Sequence, residues 1–295
     1  MKITDTGNDI VIHGAENFNL EHIFECGQCF RWNKLDANTY LGVAYGKPLR
    51  VSQNGDMITF HSTSMHDYQY IWRRYFDIDR DYGAIQAQLQ RQGVAYEDAV
   101  MPQAIRHGGG IRILAQEPFE ALISFIISAN NNIPRIKLIV ERLCMHFGDT
   151  AEYEGEIYYT FPSAERLAQC SLADLEVIRA GFRAKYILDA AAKVASGEIA
   201  PEPLRDLDYT HAKAELLKIK GVGDKVANCI VLFGLGHYSA FPVDVWVRRI
   251  VEHCYFGGSA ADCDIAEFAR ERFGEYGGFA QQYLFYYARE LKIER

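Results

Sequence analysis

No run of about 18 or more apolar residues occurs in the 295-residue chain, so a membrane-spanning helix is not expected. The opening MKITDTGNDI carries no apolar signal core, which predicts an intracellular protein. Seven cysteines, odd in number and scattered, do not make a disulfide framework. Cys26 and Cys29 have no second Cys/His pair at ligand spacing nearby, which excludes a zinc site. Internal repeats and low-complexity segments are absent. Net positive charge is missing too: 31 Lys and Arg stand against 39 Asp and Glu, a formal charge of −8. A binder whose affinity came mostly from neutralising phosphates would be basic, so the balance argues mildly against nucleic acid. Net charge averages over the whole surface, however, and a basic face can sit on an acidic body.

What is present suits one or two globular domains, with 49% apolar and 24% charged residues. The first part reads as β. Asp9 to His13 alternates, Gln28 to Leu35 and Tyr40 to Tyr45 are strand-like, and Asn54-Gly55 marks a hairpin between Leu49–Ser52 and Met57–His61. Helical periodicity begins near Ser64, and from about residue 100 the chain reads as all-helical. Phe119 to Ala129 is apolar on nearly every side, which predicts a buried core helix. Asn130-Asn131-Asn132 breaks it, and Ile133 to Phe147 resumes. Short helices follow over Ser163–Gln169 and Leu172–Ala180, then Tyr186–Ser196, and a closing helix over Phe279–Lys292. The fold class is therefore α+β: an N-terminal antiparallel β domain with helices over 1–105, packed on a helical domain of two lobes over 106–295.

One stretch, Leu216 to Val251, organises the rest. It reads as helix, Gly221-Val222-Gly223 hairpin, helix, loop and a last helix opened by Pro242-Val243-Asp244. Backbone N–H groups at such a hairpin make a sequence-blind phosphate site, although Gly-x-Gly alone fits an ordinary corner better. Asp224 is the expected N-cap type. Lys225, in the first helical turn, opposes the macrodipole, which favours anions there. A solvated lysine is the bland account. The chemical one is an amine that the dipole and partial burial disfavour as a cation, and so a nucleophile. Cys229 shares its helix face. Asp244 is an N-cap by position, which keeps a carboxylate ionised and suits it to face a developing cation. Lys218, Lys220, Lys225, Arg248 and Arg249 cluster here; Arg179, Arg183 and Lys185 form a second basic group. On charge alone, solvated helix faces account for both.

The hairpin, Gly-Val-Gly-x-Lys and Pro-Val-Asp together resemble the helix-hairpin-helix DNA glycosylase superfamily. Within it, a lysine at position 225 implies a bifunctional glycosylase and abasic-site lyase. Nearly the whole chain resembles 8-oxoguanine DNA glycosylases of the eukaryotic-like type. Gly27-Gln28-Cys29-Phe30-Arg31-Trp32 is similar to that family's Gly-Gln-x-Phe-Arg-Trp motif, whose glycine carbonyl accepts the N7 hydrogen that guanine lacks. The resemblance implies that Gln281 reads the Watson-Crick edge and that Phe285 and Cys229 stack on opposite ring faces. It implies further that Asn130 fills the hole left by the extruded base, that Arg135 and Arg183 contact the estranged cytosine, and that Phe182 is the wedge. Gly221 and Gly223 would hold phosphate. Read without the family, Phe182 and Phe285 would be core residues, and the three asparagines a loop.

Trp246 stands where many members have a phosphate-contacting histidine, and Asn228 replaces a frequent aspartate. Only Cys254 and Cys263 follow Cys229, which excludes a four-cysteine Fe–S cluster there. No cofactor is required, and a monovalent cation on hairpin carbonyls near Lys218 to Gly223 is consistent with the family. The expected partner is duplex DNA with 8-oxoguanine opposite cytosine, bound by a monomer in the cytoplasm or nucleoid of a prokaryote or the nucleus of a eukaryote. Two other readings stay open: a helix-hairpin-helix glycosylase for another damaged base, and a DNA-binding module without catalysis. Gly27, Gln281 and Phe285 speak against the first; Lys225 with Asp244 speaks against the second.

Overall fold

The structure is a computed structural model and describes residues 1–291. Six strands form one antiparallel sheet: β1 (Lys2–Asp5), β2 (Ile10–His13), β3 (Trp32–Lys34), β4 (Thr39–Ala44), β5 (Lys47–Asn54) and β6 (Met57–Phe60). Their order is β1-β2-β6-β5-β4-β3. Alternation drives it: Ile10, Ile12, Leu49, Val51, Ile58 and Phe60 all point inward and are wholly buried. Beneath them Phe24 stacks on Trp32 at 4.3 Å, and the Trp32 indole donates to the Tyr75 hydroxyl at 2.8 Å. The β5–β6 turn is shifted one residue from its expected place. Asn54 pairs with Met57, so Gly55 and Asp56 form the turn, and only Gly55 takes positive φ.

The expected strand over Gln28–Leu35 shortens to β3. Gln28 is wholly buried and bonds mainly to residues remote in sequence instead of to a strand ladder. Its Nε2 donates to the Ile23 and Arg112 carbonyls, its Oε1 accepts from Leu114 N, and its carbonyl accepts from Gln116 Nε2. Three of these bonds, at 2.7–2.9 Å, tie the Gly27 loop to the segment leading into the helical domain, and the fourth holds it to the preceding helix. The helix Leu20–Glu25, capped by Asn19, precedes that loop and was not legible in the pattern.

The helical region is not purely helical. A two-stranded hairpin, β7 (Thr150–Tyr153) and β8 (Glu156–Tyr159), interrupts it, turning at Glu154 and Gly155, both at positive φ. Tyrosines and Ile157 favour strand, and the hairpin reaches back to the sheet. The Tyr153 hydroxyl donates to the His61 carbonyl and accepts from Arg50 N, while the Arg50 guanidinium pairs with Glu154.

The spine of the second core is the helix Pro118–Ser128, with Pro118 in its first turn and its side chains buried almost throughout. Ile133–Phe147 and Asp224–Phe233 pack on it. Leu172–Ala180 is a short 3-10 turn over Asp174–Ile178, ended by left-handed Arg179 rather than by Gly181. The next helix is Ala184–Ala195, and the closing helix is Gly277–Glu290. The expected end of that helix at Lys292 lies outside the described residues. No helix among the described residues is long and apolar enough to cross a membrane.

Candidate active site

A cleft of about 730 Å³ lies where the Gly27 loop, the Ser128–Ile133 bend, the hairpin helix, the Pro242–Trp246 segment and the closing helix converge. Lys225, Cys229, Asp244, Gly27, Gln281, Phe285 and Asn130 all line it.

Lys225 is the second residue of the helix Asp224–Phe233. Gly223, not Asp224, is the N-cap; Asp224 points out and pairs with Lys213 at 2.6 Å. The Lys225 ammonium donates to Ser128 Oγ at 3.3 Å and lies 5.8 Å from the Phe125 ring centre. The Ser128 hydroxyl proton goes back to the Phe125 carbonyl at 2.8 Å, so Ser128 meets Lys225 as an acceptor. No carboxylate among the described residues pairs with Lys225.

Asp244 caps the helix Val245–Val251, accepting from Trp246 N at 3.0 Å and Val247 N at 2.9 Å. The cap was expected to keep it ionised. Burial acts the other way and prevails, so the carboxyl is raised above its ordinary value, against the pull of those two amides and of Lys225. Cys229 is buried, and burial pushes its thiol up while Lys225 pulls it down. It is an apolar wall rather than a nucleophile.

On the opposite wall Gly27 takes φ +75°, and a Cβ there would meet the Phe285 ring at 3.0 Å. Only glycine combines that conformation with that approach. The closing helix supplies Gln281, Gln282 and Phe285, all buried, and Arg289, whose guanidinium donates to the Glu25 carbonyl at 2.6 Å. That bond ties the closing helix to the Gly27 loop. Gln282 and Arg289 were missed in the sequence, though they stand three before and four after Phe285, on its helix face. Ser128 carried no pattern that could have found it.

The residues expected to open the duplex are placed unequally. Asn130 is exposed at φ +50°, and Arg135 is exposed on the first turn of Ile133–Phe147. Phe182 is 52% exposed, an uncommon state for a phenylalanine and unlike a core residue. Arg183 is 3% exposed, and its guanidinium donates to the carbonyls of Ala129, Asn130 and Ala180. It braces the Asn130 loop from the position where a cytosine contact is expected.

At the hairpin, Gly221 takes φ +84°, and a Cβ would enter the Tyr186 ring at 2.4 Å. Gly223 has ordinary φ and open space around it. The Lys193 ammonium donates to the Lys218 carbonyl, and the Ile219 carbonyl accepts from Val222 N, so two of the hairpin acceptors are engaged within the protein. Among the described residues no group of three or more His, Cys, Asp or Glu side chains could hold a metal ion. Lys218, Lys220 and Arg248 pair with Glu215, Asp189 and Asp262. Arg135, Arg179, Lys185 and Arg249 have no carboxylate partner among the described residues, so an acidic protein keeps unneutralised positive charge at these positions. Arg249 stacks on Trp246 at 4.9 Å, so a cation does stand beside the position where a histidine is frequent.

Comparison with known proteins agrees with this geometry. Residues 10–122 match the model of the 8-oxoguanine DNA glycosylase N-terminal domain, and residues 123–274 match the HhH-GPD superfamily of base excision DNA repair proteins. This chain belongs to the 8-oxoguanine DNA glycosylase/lyase family. The N-glycosylase/DNA lyase OGG1 of Arabidopsis thaliana is 32% identical over 89% of this chain and 75% of its own. The Clostridium acetobutylicum 8-oxoguanine glycosylase/lyase, in complex with duplex DNA containing cytosine opposite 8-oxoguanine, is 41% identical over 99% of each chain, with a TM-score of 0.94. MBOgg1 in complex with a low-affinity DNA ligand is 45% identical over 99% of each chain, also at 0.94. The α+β family architecture, a sheet domain followed by a helix-hairpin-helix domain, is therefore common to this enzyme and its relatives.

Proposed function

We propose that this enzyme removes 8-oxoguanine from duplex DNA, with cytosine opposite the lesion, and then cleaves the strand through a lysine Schiff base. The observation that carries the reading is that the Lys225 amine and the left-handed Gly27 face one cavity. A nucleophile for the sugar and an acceptor for the lesion's N7 hydrogen are thus joined. The Clostridium acetobutylicum relative, crystallised on an 8-oxoguanine–cytosine duplex, supports the choice of base and partner.

The Lys225 ammonium first gives a proton to solvent; its lone pair then forms a bond to C1′, and the glycosidic electron pair departs with the base, which takes up a proton. Ring opening gives an iminium. Loss of a C2′ proton then expels the 3′ phosphate oxygen, and hydrolysis frees the lysine. Asp244, its charge poorly solvated and pinned by two amides, stabilises the cationic sugar. The base sits between Cys229 and Phe285 and is read by Gln281. Asn130 fills the vacated stack, Phe182 wedges it, and Arg135 contacts the estranged cytosine. Arg183 acts through the Asn130 loop it braces. Backbone amides at Gly221 and Gly223 hold phosphate, with a monovalent cation as an auxiliary of the hairpin. The enzyme acts as a monomer and requires no other cofactor.

Borohydride trapping on duplexes carrying 8-oxoguanine, an alkylpurine or an oxidised pyrimidine, each opposite all four bases, tests the reading. Strongest trapping is expected for 8-oxoguanine opposite cytosine. A stronger adduct with another lesion would change the substrate, and no adduct with any would leave a non-catalytic DNA-binding module.

A further inference from the structure

Gln281 and Gln282 are adjacent on the closing helix, 4% and 2% exposed, and both line the cleft. Gln282 Nε2 donates to Gln281 Oε1 at 2.8 Å. Gln282 Oε1 is buried and has no hydrogen-bond partner among the described residues. A buried acceptor left unpaired is destabilising, and its residue lines the cleft, where a donor on a bound ligand can pair with it.

We infer that Gln282 is a second base-reading residue, and that its carbonyl accepts from the 2-amino group of the extruded purine. The inference rests on the substrate reading above. Two amides joined by one hydrogen bond leave one N–H edge and one carbonyl free. Guanine and its 8-oxo derivative present O6 as acceptor at one end of the Watson-Crick edge and the 2-amino donor at the other. Gln281 Nε2 then serves O6 and Gln282 Oε1 serves the amino group. Adenine presents donor and acceptor in the reverse order, so a pair locked by its own bond rejects it. Gln282 thereby fixes the Gln281 amide and supplies the half of the recognition that a single amide, engaged on its oxygen, does less well.

The test compares single-turnover excision of 8-oxoguanine and of 8-oxohypoxanthine, which lacks the 2-amino group, each opposite cytosine. Wild type is expected to favour 8-oxoguanine by about tenfold or more, the scale of one lost hydrogen bond in a closed site. In Gln282→Leu and Gln282→Met that ratio falls towards one. Binding to a duplex with a tetrahydrofuran abasic site, which has no base to read, stays at the wild-type level in both. A wild-type ratio of one overturns the inference whether or not the variants fold, and so does a wild-type ratio retained in either variant. A wild type inactive on both duplexes sinks the substrate reading itself and Gln282's role with it.

Discussion

Lys225 and Asp244 belong to one continuous stretch and sit at the first turns of two helices, whereas Gly27 and Phe285 come from opposite ends of the chain and meet on the other wall of the cleft. The reactive wall is made of polar tips. Among the described residues Lys225 makes one long hydrogen bond, and Asp244 is held by two backbone amides. The recognition wall is made of close contacts: a Cβ limit of 3.0 Å at Gly27 and four bonds around Gln28. The contrast implies a division. Changes on the reactive wall should remove rate and spare the fold, while changes on the recognition wall should disturb selectivity and stability together.

The largest effect is expected from Lys225→Gln. Excision should fall roughly 10⁴-fold or more, as when a nucleophile is removed. Its Tm and its affinity for abasic-site DNA should stay near wild type. A large loss of Tm would break the division at its first point.

Asp244→Asn should lower single-turnover excision by about 10²–10⁴-fold. Asparagine keeps an acceptor for the Trp246 and Val247 amides, so the cap survives. Burial raises the Asp244 carboxyl, so it takes up its proton at a higher pH than an ordinary aspartate does. In the proposed mechanism the active form is the anion, so the acid limb of the wild-type rate profile should lie at a higher pH than an ordinary aspartate would give and vanish in the variant. The native state also holds this proton more tightly than the unfolded chain. This group alone therefore makes wild type more stable as pH falls through the raised value, a gain that Asp244→Asn should lack. A pH–rate profile and a pH–Tm series decide both signs.

Gly27→Ala tests the other wall. It forces a side chain into positive φ, at about 1–2 kcal/mol, and presses on Phe285. Tm should drop, and the preference for 8-oxoguanine over guanine should narrow. Unchanged preference would remove Gly27 from the account of recognition.

The smallest effects separate the two hairpin glycines. Gly221→Ala drives a Cβ into Tyr186 and should destabilise by about 1–3 kcal/mol. Gly223→Ala meets open space and should change stability by less than ~0.5 kcal/mol, while weakening duplex binding severalfold. Equal Tm losses would mean that Gly223 serves the fold rather than the DNA.

The same contrast governs what could be read from the sequence. The hairpin, the Asp244 cap and the buried Pro118–Ser128 helix follow local rules of period and capping, and they stand in the structure with small shifts of boundary. The β7–β8 hairpin escaped because its pairing is short and its packing partner, Arg50, is remote in sequence. Gln28 read as a strand residue because nothing local reveals a burial created by Arg112, Leu114 and Gln116. Arg183 entered through family resemblance as a cytosine contact; that its guanidinium also gathers three carbonyls is a tertiary fact that no local pattern reveals. Gly27, Gln281 and Phe285 were singled out only through family resemblance. Their meeting is a tertiary fact.

The central claim is that Lys225 is the atom donor to the sugar. The direct measurement is mass-spectrometric mapping of the borohydride-reduced adduct formed on an 8-oxoguanine–cytosine duplex. The account predicts a single modified peptide bearing the reduced sugar remnant on Lys225. An adduct on Lys218, Lys220 or the N-terminal amine, with Lys225 unmodified, would contradict it.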